Sequence, residues 1–407
     1  MLFALLACAP DVPTWHGQVS PLLNEHCVRC HTDGGQGPGD WSEYDTVVET
    51  AWLLSDAIDD GRMPPPTTDP ECRDFHGSDH MVLTEDEAGI LAEWIDAEMP
   101  EGDPDDAPED IEYPSEEVQD PDLVLTIPEY TPTWWDEGNP GNEYRCFVLD
   151  PGVDEEIFIS EMGAVIDNRE LVHHIVLFAA DEDEIPEDTD EEPGFDCIDD
   201  VFIGGESVGS ILSGNGMLGG WAPGALPIQF DEGVGLRLTP DQKLVLQMHY
   251  FESSELGASD ASGWAFKLAD EVHTQVLMAP MGAFSFKIPA EDASYTKTSG
   301  FIMPADITIH GVFPHMHVLG TSYEMTSTSN DEETCIVRGD FDFDNQLSYQ
   351  FVDPIELDAD SLWEMSCTWD NSSDNPNQLN DPPVDVRYGE RTDEEMCFGF
   401  SLISLGH

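Results

Sequence analysis

The sequence predicts a multidomain protein in which a small all-α domain precedes two all-β sandwich domains. Three observations carry this. The chain of 407 residues is long enough for two to four domains. Helix-like runs are confined to its first hundred residues, which an acidic, Pro-rich stretch separates from the rest. From Leu123 onward, short β-type runs alternate with turn residues, and 34 Gly and 30 Pro are spread along the chain to supply the turns.

Composition narrows the function classes. A hydrophobic content of 40% with 10 Trp supports packed cores, so this is not a disordered acidic polymer. The balance of 86 acidic against 13 basic residues gives a net charge of −73, which would repel nucleic acid and anionic membranes. It reads as a solvating surface, suited to a salty habitat, and says nothing about catalysis. No run of 18 or more apolar residues follows the start. Residues 1–10 form a signal/lipobox segment: in "MLFALLAC", Leu5-Leu6-Ala7-Cys8 resembles a bacterial lipobox, although the stretch is short and lacks a basic n-region. That reading implies an exported protein, periplasmic or an outer-membrane lipoprotein, touching the membrane only through lipid on Cys8.

Residues 11–103 hold "CVRCH", Cys27 to His31. Two thiols three apart can add to the two vinyl groups of a haem, and the adjacent histidine can ligate the iron. A thioredoxin-like pair would want a βαβ context, which is absent. Half a zinc site would want a second Cys/His pair, and His76 and His80 stand at an awkward distance. The motif ends a helix-like run beginning "WHGQVSPLLNEH"; "GRMPPP" follows, offering the Met63 thioether as the second axial ligand, ahead of Met81 and Met99, which read as loop or packing residues. "LTEDEAGILAEWIDAEMPEG" then reads as an amphipathic helix with a threonine cap. The pattern over roughly residues 12–103 resembles the small c-type cytochrome domains of exported bacterial proteins. His16, His26, His76 and His80 read as surface or loop histidines, and Cys72 has no evident partner. Residues 104–121 read as an acidic linker, and the acidic run 181–194 as a solvated loop.

Three strand-like runs beyond the linker carry histidines: "LVHHIVLF" (His173, His174), "LQMHYF" (His249) and "FPHMHVLG" (His315, His317). Residues two apart on a strand share a face, so His315 and His317 can chelate one ion. Neighbours such as His173 and His174 face opposite ways unless a twist, bulge or strand end intervenes. Imidazole-rich sites suit Zn, Cu, Fe or Ni; a thioether in the set selects copper, Cu(I) above all. His273 and His310 read as structural.

"VHHIVLF", "GGWAPG", "QMHY", "PHMHVLG" and "DEEMC" occur in the order seen in copper type II, ascorbate-dependent monooxygenases, which the chain resembles over about residues 122–407. The resemblance implies two jelly-roll-like sandwiches, 122–272 and 273–407, each holding one copper across a solvent-filled cleft. By the same resemblance His173, His174 and His249 match an electron-transfer copper site, and His315, His317 and Met396 the oxygen-activating one. Met396 is preferred to Met365 because it heads a Met-Cys pair. Cys146–Cys197 and Cys367–Cys397 match the family's bridges, which leaves Cys335 over. The peptide-amidating branch has an arginine where this chain has Phe313, and Asn and Tyr where it has Phe398 and Phe400. Losing that bidentate anion clamp argues against peptide amidation and for an aromatic or apolar substrate. The expected whole is an exported monooxygenase with two copper ions and one covalent haem c. It would take O2, a small organic substrate and electrons from an ascorbate-like reductant or a periplasmic redox protein. The alternatives are a non-catalytic copper and haem electron carrier, or structural sandwiches with incidental histidines.

Overall fold

The computed structural model describes residues 12–32, 35, 37–108, 114–133, 142–185, 193–197, 208–251, 257–343, 345–389 and 391–406. Cys8 lies outside them. The described residues fall into two compact units, one of Met1–Pro65 with Gly77–Pro114 and one of Pro66–His76 with Ser115–His407. No described helix is long and apolar enough to cross a membrane.

The first unit is helical. A π-turn at Trp15–Val19, capped by the Thr14 side chain, runs into α1 (Ser20–His26); α2 (Tyr44–Asp59), α3 (Ser78–Met81) and α4 (Glu85–Asp96) follow. α2 buries Val47, Ala51 and Leu54, spaced four and three apart and therefore on one face. Val47 and Leu54 join Trp15, Leu23, Trp41, Leu91 and Trp94 in one core. α4 opens with the capping box that its sequence announces. Thr84 Oγ1 accepts from Glu87 N at 3.3 Å, and Glu87 Oε2 accepts from Thr84 N at 2.8 Å.

The second unit is built from β-sheets. A five-stranded sheet orders Phe195–Asp196, Asn142–Leu149, Gln242–Phe251, Val172–Asp181 and Gly216–Trp221. A four-stranded sheet orders Tyr295–Ile302, Leu362–Trp369, Gly320–Ser329 and Glu332–Asp340. A nine-stranded sheet spans both halves of the unit. The halves join where Val234–Leu238 pairs in parallel with Thr274–Gly282 over two residue pairs, the one parallel pairing between this sheet's strands among the described residues. Strand Leu362–Trp369 shows why these sequences become sandwich strands. Its alternate residues Trp363, Met365, Cys367 and Trp369 are all buried, and the residues between them are not. Full burial of such side chains contributes about 1.5–3 kcal/mol each.

Three disulfides pin the β-unit. Cys146–Cys197 lies within the first half. Cys367–Cys397 ties the four-stranded sheet to the strand Phe398–Leu405 of the nine-stranded one. Cys72–Cys335, a pair that sequence reading left unassigned, fastens Pro66–His76 onto the second half. This segment was read with residues 11–103, yet its polar groups find their partners in the β-unit. Thr68 Oγ1 and Asp69 N both donate to Arg338 O, at 2.9 and 2.8 Å, and the Asp69 carboxylate accepts from the Arg338 guanidinium at 2.7 Å. Further on, His76 N donates to Gln350 O at 2.9 Å and Val352 N to Asp74 O at 3.1 Å. The linker also has structure: Pro104–Asp106 forms a 3-10 turn, and Val118 is buried.

Candidate metal centres

His173, His174 and His249 come together because of a strand irregularity. Val172–Asp181 pairs with Gln242–Phe251 so that His174 faces His249 and Val172 faces Tyr250; the register slips between Val172 and His174. His173 is the extra residue of that bulge, so two adjacent histidines reach the same side, which a regular strand would forbid. The three Nδ1 atoms stand 3.2, 3.1 and 3.3 Å apart. The point equidistant from them is about 1.8–1.9 Å from each, close to a metal–imidazole bond of about 2.0 Å. Burial pushes His174 and His249 well below the usual histidine range, and the neighbouring histidines push the same way. Neutral rings keep the lone pairs that a metal needs. Tyr144 of the neighbouring strand stacks on His249 with ring centroids 4.1 Å apart, and Tyr250 next to His249 donates to the buried Asp260 at 3.1 Å.

His315 ends the strand Ile307–His315 and His317 follows it, with rings 5.2 Å apart at 84°. Met316 between them is fully buried in the core. Burial lowers His315 to about 4 and His317 to about 3, so both are neutral. His315 Nδ1 meets Gln346 Oε1 at 2.7 Å, while its Nε2 is buried without any hydrogen-bond partner. A buried imidazole nitrogen with its lone pair left without a protein partner can serve as a metal donor. His317 Nδ1 lies 3.1 Å from Glu394 O.

Met396 is fully buried. It lies two residues before Phe398, which pairs with His315 at the end of the strand, and it is not among the described residues that line the cleft shared by His315 and His317. Glu395, next to Met396, is also fully buried and accepts from His317 N at 3.0 Å, Leu319 N at 2.7 Å and Trp369 Nε1 at 2.8 Å. Burial raises it to about 8 against the pull of those bonds. Its role was missed, though an acid directly before the Met-Cys pair was a usable signal. Gln346 gave no signal at all. His310 is the bulge residue of its strand and bonds Ser404 Oγ at 2.9 Å.

One cleft is lined by His174 from the first set and by His315 and His317 from the second. It holds about 680 Å3, counting its solvent-open mouth, and its walls include Met217, Trp221, Phe313, Phe343 and Phe400. Phe313 is itself a wall residue, with its ring 6.1 Å from that of His315.

In the helical unit, Cys27 and Cys30 stand outside the three disulfides. Cys30 N and His31 N both donate to Cys27 O, at 3.1 and 2.9 Å, which puts both thiols and the imidazole on one turn after α1. His31 Nδ1 lies 3.0 Å from Pro38 O, and its ring stacks on Trp41 at 3.9 Å. A carbonyl can only accept, so Nδ1 carries the proton and Nε2 the lone pair. Gly37 permits the approach: a Cβ there would sit 2.6 Å from His31 Nδ1. Met63 is half-buried and donates from its N to Ala57 O at 3.2 Å; Met81 is buried, and Met99 packs on the helical core.

No curated protein matches the chain. A solved structure of a putative secreted protein from Eubacterium rectale is 11% identical, covering 68% of this chain and 73% of its own, with a TM-score of 0.18. The infectious bursal disease virus Gx strain is 9% identical, covering 72% and 74%, also with a TM-score of 0.18. Scores this low carry no argument about the fold. Residues 139–256, the stretch that contains His173, His174 and His249, match the family described as copper type II ascorbate-dependent monooxygenase, N-terminal domain.

Proposed function

We propose that this chain is an exported haem- and copper-dependent monooxygenase that hydroxylates a C–H bond of a small organic substrate. The observation that carries the reading is one apolar cleft bordered by histidines of both sets. His173, His174 and His249 would hold one copper; His315, His317 and Met396 would hold the other, in two jelly-roll-like domains, 122–272 and 273–407. Copper bound there supplies one-electron redox chemistry, and a thioether ligand favours Cu(I), the form suited to O2. The overall reaction consumes substrate, O2, two electrons and two protons, and yields the alcohol and water. Three disulfides suit an oxidising compartment outside the cytoplasm.

The protein's own part is to orient, enclose and exclude. Gln346 and the Glu394 carbonyl set the rings of His315 and His317. Phe313, Phe343 and Phe400 give the cleft an apolar wall that would bind substrate by desolvation, and no Lys or Arg is among its described lining residues to hold a carboxylate. Phe313→Ala is expected to lower kcat/KM for an apolar substrate about 10–100-fold, corresponding to ~1–3 kcal/mol of lost pocket contact, with copper content unchanged. Steady-state kinetics beside metal analysis check this, and an unchanged kcat/KM removes Phe313 from the substrate wall.

Cys27, Cys30 and His31 would carry haem c, with Met63 as second axial ligand. Support comes from the single turn that holds both thiols and from the Nδ1–carbonyl bond that directs the His31 Nε2 lone pair outward from that turn's anchor. The haem would relay single electrons to the β-unit, with an ascorbate-type reductant as the other source. Stopped-flow spectroscopy of the full chain tests the relay. Reduced haem is expected to re-oxidise when Cu(II) and O2 are supplied; haem that stays reduced rules the relay out.

A further inference from the structure

We infer that Gln346 is a positioning residue for His315 and that the Pro66–His76 segment is part of that metal site. The inference rests on the reading of His315 as a copper ligand.

An imidazole must present one deprotonated nitrogen to a metal, and the bond made by its other nitrogen selects which. The His315 partner is the side-chain amide of Gln346, 2.7 Å away. An amide can be turned either way, so its second bond matters. Gln346 Nε2 donates to Phe343 O at 2.9 Å, which commits the NH2 group to a carbonyl and leaves Oε1 for His315. Oε1 can only accept, so Nδ1 is the protonated nitrogen and the buried, partnerless Nε2 holds the lone pair.

Gln346 itself sits between strands, after Glu332–Asp340 and before Tyr349–Leu357. A ligand support on such a stretch needs an external brace to hold it within the tolerance that metal sites demand. Pro66–His76 is that brace. It binds Arg338 and Cys335 before the stretch and Gln350 and Val352 after it. Between these anchors, Asn345 Nδ2 donates to Pro66 O at 3.2 Å, one residue from Gln346. A segment that sequence order places with the helical unit thus buttresses a ligand of the second β-half.

The test uses the full chain, metal-free and 15N-labelled at histidine, with His315 signals assigned through His315→Gln. Long-range 1H–15N correlation is expected to show the Nδ1–H tautomer. Gln346→Leu should give a tautomer mixture, and Gln346→Glu, whose carboxylate accepts the same bond, should restore Nδ1–H. Cu(I) affinity, measured by chelator competition in a His249→Ala background, should fall about 10–100-fold with Gln346→Leu and return with Gln346→Glu. An Nε2–H tautomer in the parent, or an unchanged tautomer in Gln346→Leu, overturns the role of Gln346. Asn345→Ala severs only the contact to Pro66 and should broaden or split the His315 signals; an unaltered spectrum overturns the role of the brace and also serves if Gln346→Leu does not fold. A parent that binds no Cu(I) here refutes the copper reading, while the tautomer result still decides whether Gln346 orients the ring.

Discussion

If the proposed two-copper reading holds, replacing His249 by alanine is expected to lower bound copper from about two ions per chain to about one, and turnover by at least ~10^3-fold, or ~4 kcal/mol of barrier. The loss is large because the three Nδ1 atoms act as a set: each stands within 3.3 Å of the other two around one point, and removing any vertex leaves a two-coordinate remnant. Among the described residues, the only cluster of three or more His, Cys, Asp or Glu groups suited to a metal is this one. A catalytic cycle that draws one electron from each metal would then stall after the first. Metal analysis and EPR of the full chain, with His273→Asn as a surface control, check the outcome. Retention of both coppers in His249→Ala would remove the three-imidazole site from the mechanism.

The double variant Cys72→Ser/Cys335→Ser is expected to lose about 2–5 kcal/mol of stability in the β-unit. This bridge closes a loop of 263 residues, far longer than those closed by the other two disulfides at 51 and 30. Loop-closure entropy grows with length, though only logarithmically, and native contacts inside the loop reduce the effect. What remains is the anchoring of Pro66–His76, whose other ties are hydrogen bonds, the buried Phe75 ring packed edge-on against Tyr349, and a partly exposed Asp69–Arg338 pair that contributes little alone. Denaturant unfolding followed by tryptophan fluorescence should show a lower midpoint for the β-unit. An unchanged midpoint would mean that the segment holds by its backbone contacts without the bridge.

The two centres were legible to different degrees. His315 and His317 were paired from sequence on strand parity; the structure sets their rings 5.2 Å apart, although the strand ends at His315 and His317 lies beyond it. His173 and His174 could not, because strand parity separates neighbours; only the bulge opposite His249 and Tyr250 overrides it. Of the bridges, Cys146–Cys197 and Cys367–Cys397 were named through family resemblance, and both form. Cys72–Cys335 was not, since its partners were assigned to different domains.

By itself the sequence determined the chemistry on offer. It set out imidazoles in apolar strand-like runs, a Met-Cys pair, a C-x-x-C-H motif, an aromatic residue where the resembled family has a cation, and the switch from helical to alternating patterns that marks where sheets begin. These are local properties, written in side-chain type and in spacings of two to four residues. Tertiary structure alone decided which nitrogens meet, which ring nitrogen is left without a partner, and which segment packs beside Gln346. Each of those depends on register between strands dozens to hundreds of residues apart. Register is settled by the packing of whole sheets, so no short window of sequence contains it.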